Sequence, residues 1–154
     1  MRTIATSVAV FFAAAAVLSA QTPKPAAPAP GSACSFLTKE DAAAALGETV
    51  TGPKETFRPN GPSACEYTGS GIHKVQLTVY PLTAASAAVY KGLCAKKNKD
   101  GLTGLGDATC WYNEKHEELQ VLKGFTVLMI EVHRSGDPTE AIKGVARKVY
   151  DRVK

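Results

Sequence analysis

Phe125-Thr126-Val127-Leu128-Met129-Ile130-Glu131-Val132 is the stretch on which the fold turns. It is almost wholly apolar and rich in β-branched side chains, with both alternating faces hydrophobic. A strand of that kind is covered on both sides and lies in the middle of a sheet. Immediately before it, Glu118–Leu122 reads as a strand and Lys123-Gly124 as a turn, so the two predict a hairpin. Further back, His73–Tyr80 alternates cleanly: Val75, Leu77 and Val79 fall on one face, Lys74, Gln76 and Thr78 on the other. That is the pattern of a half-buried strand. Shorter strands are predicted at Glu55–Arg58, Ala64–Thr68 and Ala108–Tyr112, separated by Gly52-Pro53, Pro59-Asn60-Gly61-Pro62 and Gly69-Ser70-Gly71.

Helices alternate with these strands. Thr38-Lys39-Glu40-Asp41 has the form of a capping box, Ala42–Leu46 continues the helix and Gly47 supplies a left-handed stop. Thr83 opens a second helix to about Lys97, where Ala85, Val89 and Leu93 form one apolar face and Asn98-Lys99-Asp100-Gly101 ends it. The last helix is capped by Asp137 with Pro138 in the first position and Glu140 completing the box. Ala141, Val145, Val149 and Val153 line its predicted buried face. The order helix–strands–helix–strands–helix predicts an α+β fold, an antiparallel-rich sheet with helices packed mainly on one face. Cys65-Glu66-Tyr67 and Cys110-Trp111-Tyr112 each precede a strand and then a helix, an echo consistent with two duplicated α-β-β-β units.

Residues 1–20 carry Arg2, an apolar run from Ile4 to Leu18 and small residues before Gln21, the form of a secretory signal peptide. Gln21 stands where a lipoprotein would carry its acylated cysteine, so the expected product is soluble and periplasmic or secreted, without a stable membrane anchor. Residues 21–32 are rich in Pro and Ala and predict an extended linker. Residues 33–154 then make a single globular domain. Past residue 20 the chain keeps a net charge of +3, too mild to point to nucleic acid. Four cysteines in a small exported chain predict two disulfides. Of the three possible connectivities, Cys34–Cys65 with Cys94–Cys110 keeps each bridge within one half of the domain. The absence of any C-x-x-C pair argues against a metal centre or a dithiol redox motif.

The run Ala33-Cys34-Ser35-Phe36-Leu37-Thr38-Lys39-Glu40-Asp41, the Leu46-Gly47 helix end, Cys65-Glu66-Tyr67 and the turn Gly104–Asp107 resemble a family of small exported domains found in bacterial cell-envelope lipoproteins. The resemblance implies a binding or sensing domain and carries over no catalytic residue.

The chemistry legible in the sequence is sparse. The histidines His73, His116 and His133 show no metal-ligand spacing. Gly101, Gly104 and Gly106 spell no nucleotide fingerprint and read as turns that let a loop pass close to the sheet, with Asp107 bonding turn backbone. Glu131, an acid inside an apolar strand, is expected near water or a basic partner. Trp111 and Tyr112 form an aromatic cluster beside Cys110, where a Trp commonly covers a disulfide. Lys143 and Arg147 of the last helix are expected on a solvated face. The reading is an exported binding or sensing module of the cell envelope, non-catalytic and without cofactor, using Trp111, Tyr112 and Tyr67 for a small molecule or an envelope protein. Two alternatives stand beside it. One is a small hydrolase built on His116 or His133; the other is a structural or inhibitory partner acting through a strand edge or the basic helix.

Overall fold

The computed structural model describes residues 31–58, 61–97 and 102–154. The expected signal peptide, nearly all of the expected linker, Pro59-Asn60 and the expected helix stop at Asn98–Gly101 lie outside them. Six antiparallel strands form one sheet in the order β1-β2-β3-β6-β5-β4. They are β1 (Thr51–Thr56), β2 (Ser63–Thr68), β3 (Lys74–Pro81), β4 (Ala108–Trp111), β5 (Glu118–Lys123) and β6 (Thr126–His133). Each half of the chain is a three-stranded meander, and the two join where β3 pairs with β6 from Lys74 opposite His133 to Pro81 opposite Thr126. The apolar strand is therefore central, as its composition predicts. Phe125 falls in the turn before it and is exposed.

The sheet's inner face carries Val75, Leu77 and Val79 against Val132, Ile130 and Leu128, all buried. Three helices cover it: α1 (Ala33–Phe36), α2 (Lys39–Leu46) and α4 (Thr139–Arg152). The capping box of α2 forms as expected, with Thr38 and Asp41 exchanging side-chain and backbone hydrogen bonds and Gly47 in the left-handed region. At α4 the regular helix begins at Thr139. The Asp137 carboxylate accepts the Thr139 N–H at 2.8 Å, but Glu140 turns to Lys143 at 2.9 Å rather than closing a box. Its buried stripe is Ile142, Val145, Ala146, Val149 and Val153, with Ala141 only half-buried. Val145, Val149 and Val153 thus line the buried face as read from the sequence, while in the first turn Ile142 takes the place expected of Ala141, because the 3.6-residue period does not keep an exact fourfold repeat.

Asp41 has a second task. Only 5 % exposed, it meets Lys148 at 3.2 Å and the Arg152 guanidinium, tying the start of α2 to the end of α4. Burial by itself raises its pKa, but hydrogen bonds from Arg152, Lys148 and Thr38 outweigh that and hold the carboxyl below its ordinary 3.8. A carboxylate more acidic in the native state than in the unfolded chain stabilises the fold above 3.8, and that contribution is lost as the pH falls through the lower native value. The melting temperature should therefore decline between about pH 5 and pH 2. Asp41→Asn should flatten part of that decline while lowering the midpoint at pH 7. An unaltered acid profile in the variant would refute the assignment.

The remaining helix, α3 (Ala84–Cys94), departs from expectation. It packs on the opposite face of the sheet, where Ala87 meets Leu122 and Val127 beside the half-buried Tyr80, Tyr90 and Met129. Ala87, Tyr90 and Cys94 face the sheet, while Val89 and Leu93, the apolar face predicted from the sequence, are 64 % and 57 % exposed. Two stripes were available at helical spacing, and the bond between Cys94 and Cys110, with the Tyr90 hydroxyl donating to Gln120 Oε1 at 2.7 Å, selects the other. The first strand is also displaced. It covers Thr51–Thr56 rather than Glu55–Arg58, and runs through Gly52-Pro53. An edge strand with a register shift between Thr51 and Lys54 needs no donor from Pro53. A side chain at Gly52 would stand 3.0 Å from the Glu66 carbonyl, so the close approach demands glycine. The disulfides are Cys34–Cys65 and Cys94–Cys110, the favoured pairing.

Candidate functional site

The three aromatic candidates do not form one surface. Tyr67, on β2, is 4 % exposed in the main core, its hydroxyl pKa raised by burial and by the nearby Glu40 and Asp41 carboxylates. Trp111, on β4, is 1 % exposed and faces the same core. Three strands separate β2 from β4, roughly 19 Å at the ordinary strand spacing. Tyr112 is exposed, with Lys97 Nζ 4.7 Å from its ring centre. Because successive strand residues point to opposite faces, Trp111 does not lie over the bridge made by its neighbour Cys110. Its cover is His116, whose ring stacks on the indole at 4.6 Å from an unusual left-handed backbone (φ 56°). His116 is thus half-buried.

His133 stands 3.3 Å from Glu131 on the outer face of the sheet, which meets the expectation of a polar partner for that acid. Glu131 lies opposite Glu118 across β5, and Gln120 Nε2 donates to Glu118 Oε1 at 2.6 Å. Burial, and then the Glu131 charge, push the Glu118 carboxyl up, against the pull of Gln120 and Lys97. Of the last helix's cations, Lys148 and Arg152 are engaged by Asp41, and Lys143 pairs with Glu140. Among the described residues no group of three or more His, Cys, Asp or Glu side chains could hold a metal ion. The glycine-rich loop does pass close to the sheet: a side chain at Gly106 would collide with the Leu122 carbonyl. Asp107 Oδ2 accepts the Gly124 N–H at 2.6 Å and so binds the turn between β5 and β6.

His73 meets both a carboxylate and a serine, Glu48 Oε1 at 2.8 Å from Nδ1 and Ser135 Oγ at 3.0 Å from Nε2.

A groove of about 650 Å³ lies between α1, the end of β1 and the end of α4. Phe36, Phe57, Val79 and Pro81 form its apolar wall. Phe57 is 52 % exposed, which leaves a large apolar ring facing solvent across the opening. Arg58, Arg152 and Lys154 bring positive charge to its lining, and none of the described residues lining it is acidic. Arg152 is held in place by the Phe36 carbonyl at 2.7 Å and by Asp41. No sequence signal marks this groove as a binding site, since its lining comes from several separate segments and each contributes one or two ordinary side chains. Such a site takes a ligand with an apolar body and an anionic end.

No family model matches the chain, and no match to it is found among curated proteins or solved structures.

Proposed function

We propose that this domain is an exported binding module of the cell envelope whose groove takes an amphipathic organic anion. The observation that carries the reading is the combination, around one concavity, of an exposed phenyl ring with cationic side chains and, among the described residues, no acidic ones. The two disulfides suit an oxidising compartment, and among the described residues no helix is long and apolar enough to cross a membrane. The apolar wall supplies affinity through area removed from water, and Arg58 selects the charged end.

Decanoate titrated into the protein by calorimetry should bind, and decyltrimethylammonium, of the same chain length and opposite charge, should bind at least tenfold more weakly. Phe57→Ala and Arg58→Ala, both at exposed positions, should each weaken decanoate by about fivefold or more while leaving the melting temperature within a few degrees. Equal binding of the two amphiphiles, or undiminished binding by Phe57→Ala, would remove the groove as the site.

A further inference from the structure

Glu48, His73 and Ser135 are brought together from three parts of the chain. Glu48 follows the left-handed Gly47 that ends α2; His73 closes the turn between β2 and β3; Ser135 lies between β6 and α4. The Glu48 carboxylate accepts from His73 Nδ1 at 2.8 Å, which leaves Nε2 to accept the Ser135 hydroxyl at 3.0 Å. Glu48 is itself held by the Ser70 backbone N–H at 3.0 Å and the Ser70 hydroxyl at 2.7 Å. These bonds, followed by that of His73, lower its pKa to about 2, so it is ionised at neutral pH and fixes the imidazole tautomer.

The surrounding backbone holds this geometry in place. Arg134 Nη1 donates to the Ala45 carbonyl at 2.7 Å, clamping the loop that carries Ser135 to the helix end that precedes Glu48. The His73 N–H donates to the Ser70 carbonyl at 3.0 Å and its own carbonyl accepts the Gly69 N–H at 2.9 Å. Gly69 is required by the approach of Glu48: a side chain there would overlap Glu48 Oε1 and stand 3.0 Å from Leu46 Cδ1. Around the nucleophile there is room. Ser135 is exposed, and nothing lies within 4 Å of where a side chain on Gly136 would begin. Ile72, 88 % exposed on the same turn as His73, offers an apolar contact.

We propose that Ser135, His73 and Glu48 form an acyl-transfer site that hydrolyses small, activated carboxylic esters, with Ser135 as nucleophile, His73 as general base and Glu48 as the group that orients the ring. Ser135 Oγ adds to the ester carbonyl carbon as His73 Nε2 takes its proton. The bond from carbon to the leaving oxygen then breaks, and the alcohol departs with that proton. Water, deprotonated by the same nitrogen, attacks the acyl-serine ester and releases the carboxylic acid, while the proton returns to Ser135 Oγ. The exposed setting gives a substrate little to grip beyond the reacting atoms, so the site suits small esters with good leaving groups. It is independent of the groove, since His73 and Val79 lie six residues apart along one extended strand, about 20 Å.

The test treats the oxidised full chain with a fluorophosphonate at neutral pH and follows intact mass. The phosphonyl group should add once, with loss of fluoride, and peptide mapping should place it on Ser135. Ser135→Ala should abolish the adduct and the hydrolysis of p-nitrophenyl acetate together. His73→Gln should slow both at least tenfold, as removal of a general base requires. Gly69→Ala, which displaces the Glu48 carboxylate while leaving the Ser135 and His73 side chains unaltered, should slow both by a smaller factor with the disulfides retained. An unlabelled wild-type protein, an adduct on Ser70, or equal labelling of wild type and His73→Gln would each overturn the proposal and leave the three side chains as a clamp between loops.

Discussion

Trp111→Ala should lower the unfolding free energy by about 4 kcal/mol, read from urea denaturation of the oxidised protein. The indole is 1 % exposed and fills the end of the main core beneath β4, with the His116 ring stacked on it at 4.6 Å. Removing it exchanges a large apolar side chain for a cavity at a site whose walls belong to a sheet and cannot collapse fully. Tyr112→Ala, one residue further along and 56 % exposed, should change stability by about 0.5 kcal/mol or less. The contrast also bears on ligand binding. A loss of binding in Trp111→Ala would follow from a damaged core, so the exposed Tyr112 and Phe57 are the aromatic positions at which loss can be read as loss of contact. A cost below about 1 kcal/mol for Trp111→Ala would show that the indole is not packed as described.

Replacing Cys34 and Cys65 together by alanine should cost about 3.5 kcal/mol, the chain-entropy value for a bridge closing 31 residues. Both sulfurs are buried where α1 meets β2, so the bridge fastens a helix of four residues that could not hold its place on intrinsic stability. The Cys94–Cys110 bridge closes 16 residues and should contribute about 3 kcal/mol, but its loss should show differently. Within α3 only Ala87 and Cys94 are buried, and the helix shares little with the main core. Without the bridge, its amides should lose protection from hydrogen exchange while those of β3 and β6 keep theirs. Uniform loss of protection across both regions would mean that α3 is integral to the cooperative unit.

Much of the fold was legible because its signals are local. The almost wholly apolar run of β6, the alternation in β3 and the caps of α2 each depend on residues within one element, where periodicity reports burial directly. The pairing of the cysteines followed from their distribution between two halves. Local pattern failed where two solutions were equally periodic. In α3, Ala85-Val89-Leu93 and Ala87-Tyr90-Cys94 are both helical stripes, and a disulfide and a hydrogen bond from other strands settle which turns inward. β1 was misplaced because Gly52-Pro53 reads as a break, which an edge strand with a shifted register tolerates.

By itself the sequence determined the class of fold, the central strand, both ends of α2 and the cross-links. These follow from side-chain period, capping and cysteine count, all properties of short stretches. The tertiary structure alone decided which face α3 covers, that Tyr67 and Trp111 are buried far apart, and where the functional surfaces lie. Glu48, His73 and Ser135 are distant in the chain and meet only because two loops and a helix end converge at one end of the sheet. Phe36, Phe57, Val79 and Arg152 converge likewise at the other. Convergence of that kind is set by the register of β3 on β6 and the docking of α4, long-range pairings that leave no periodic trace in any one segment.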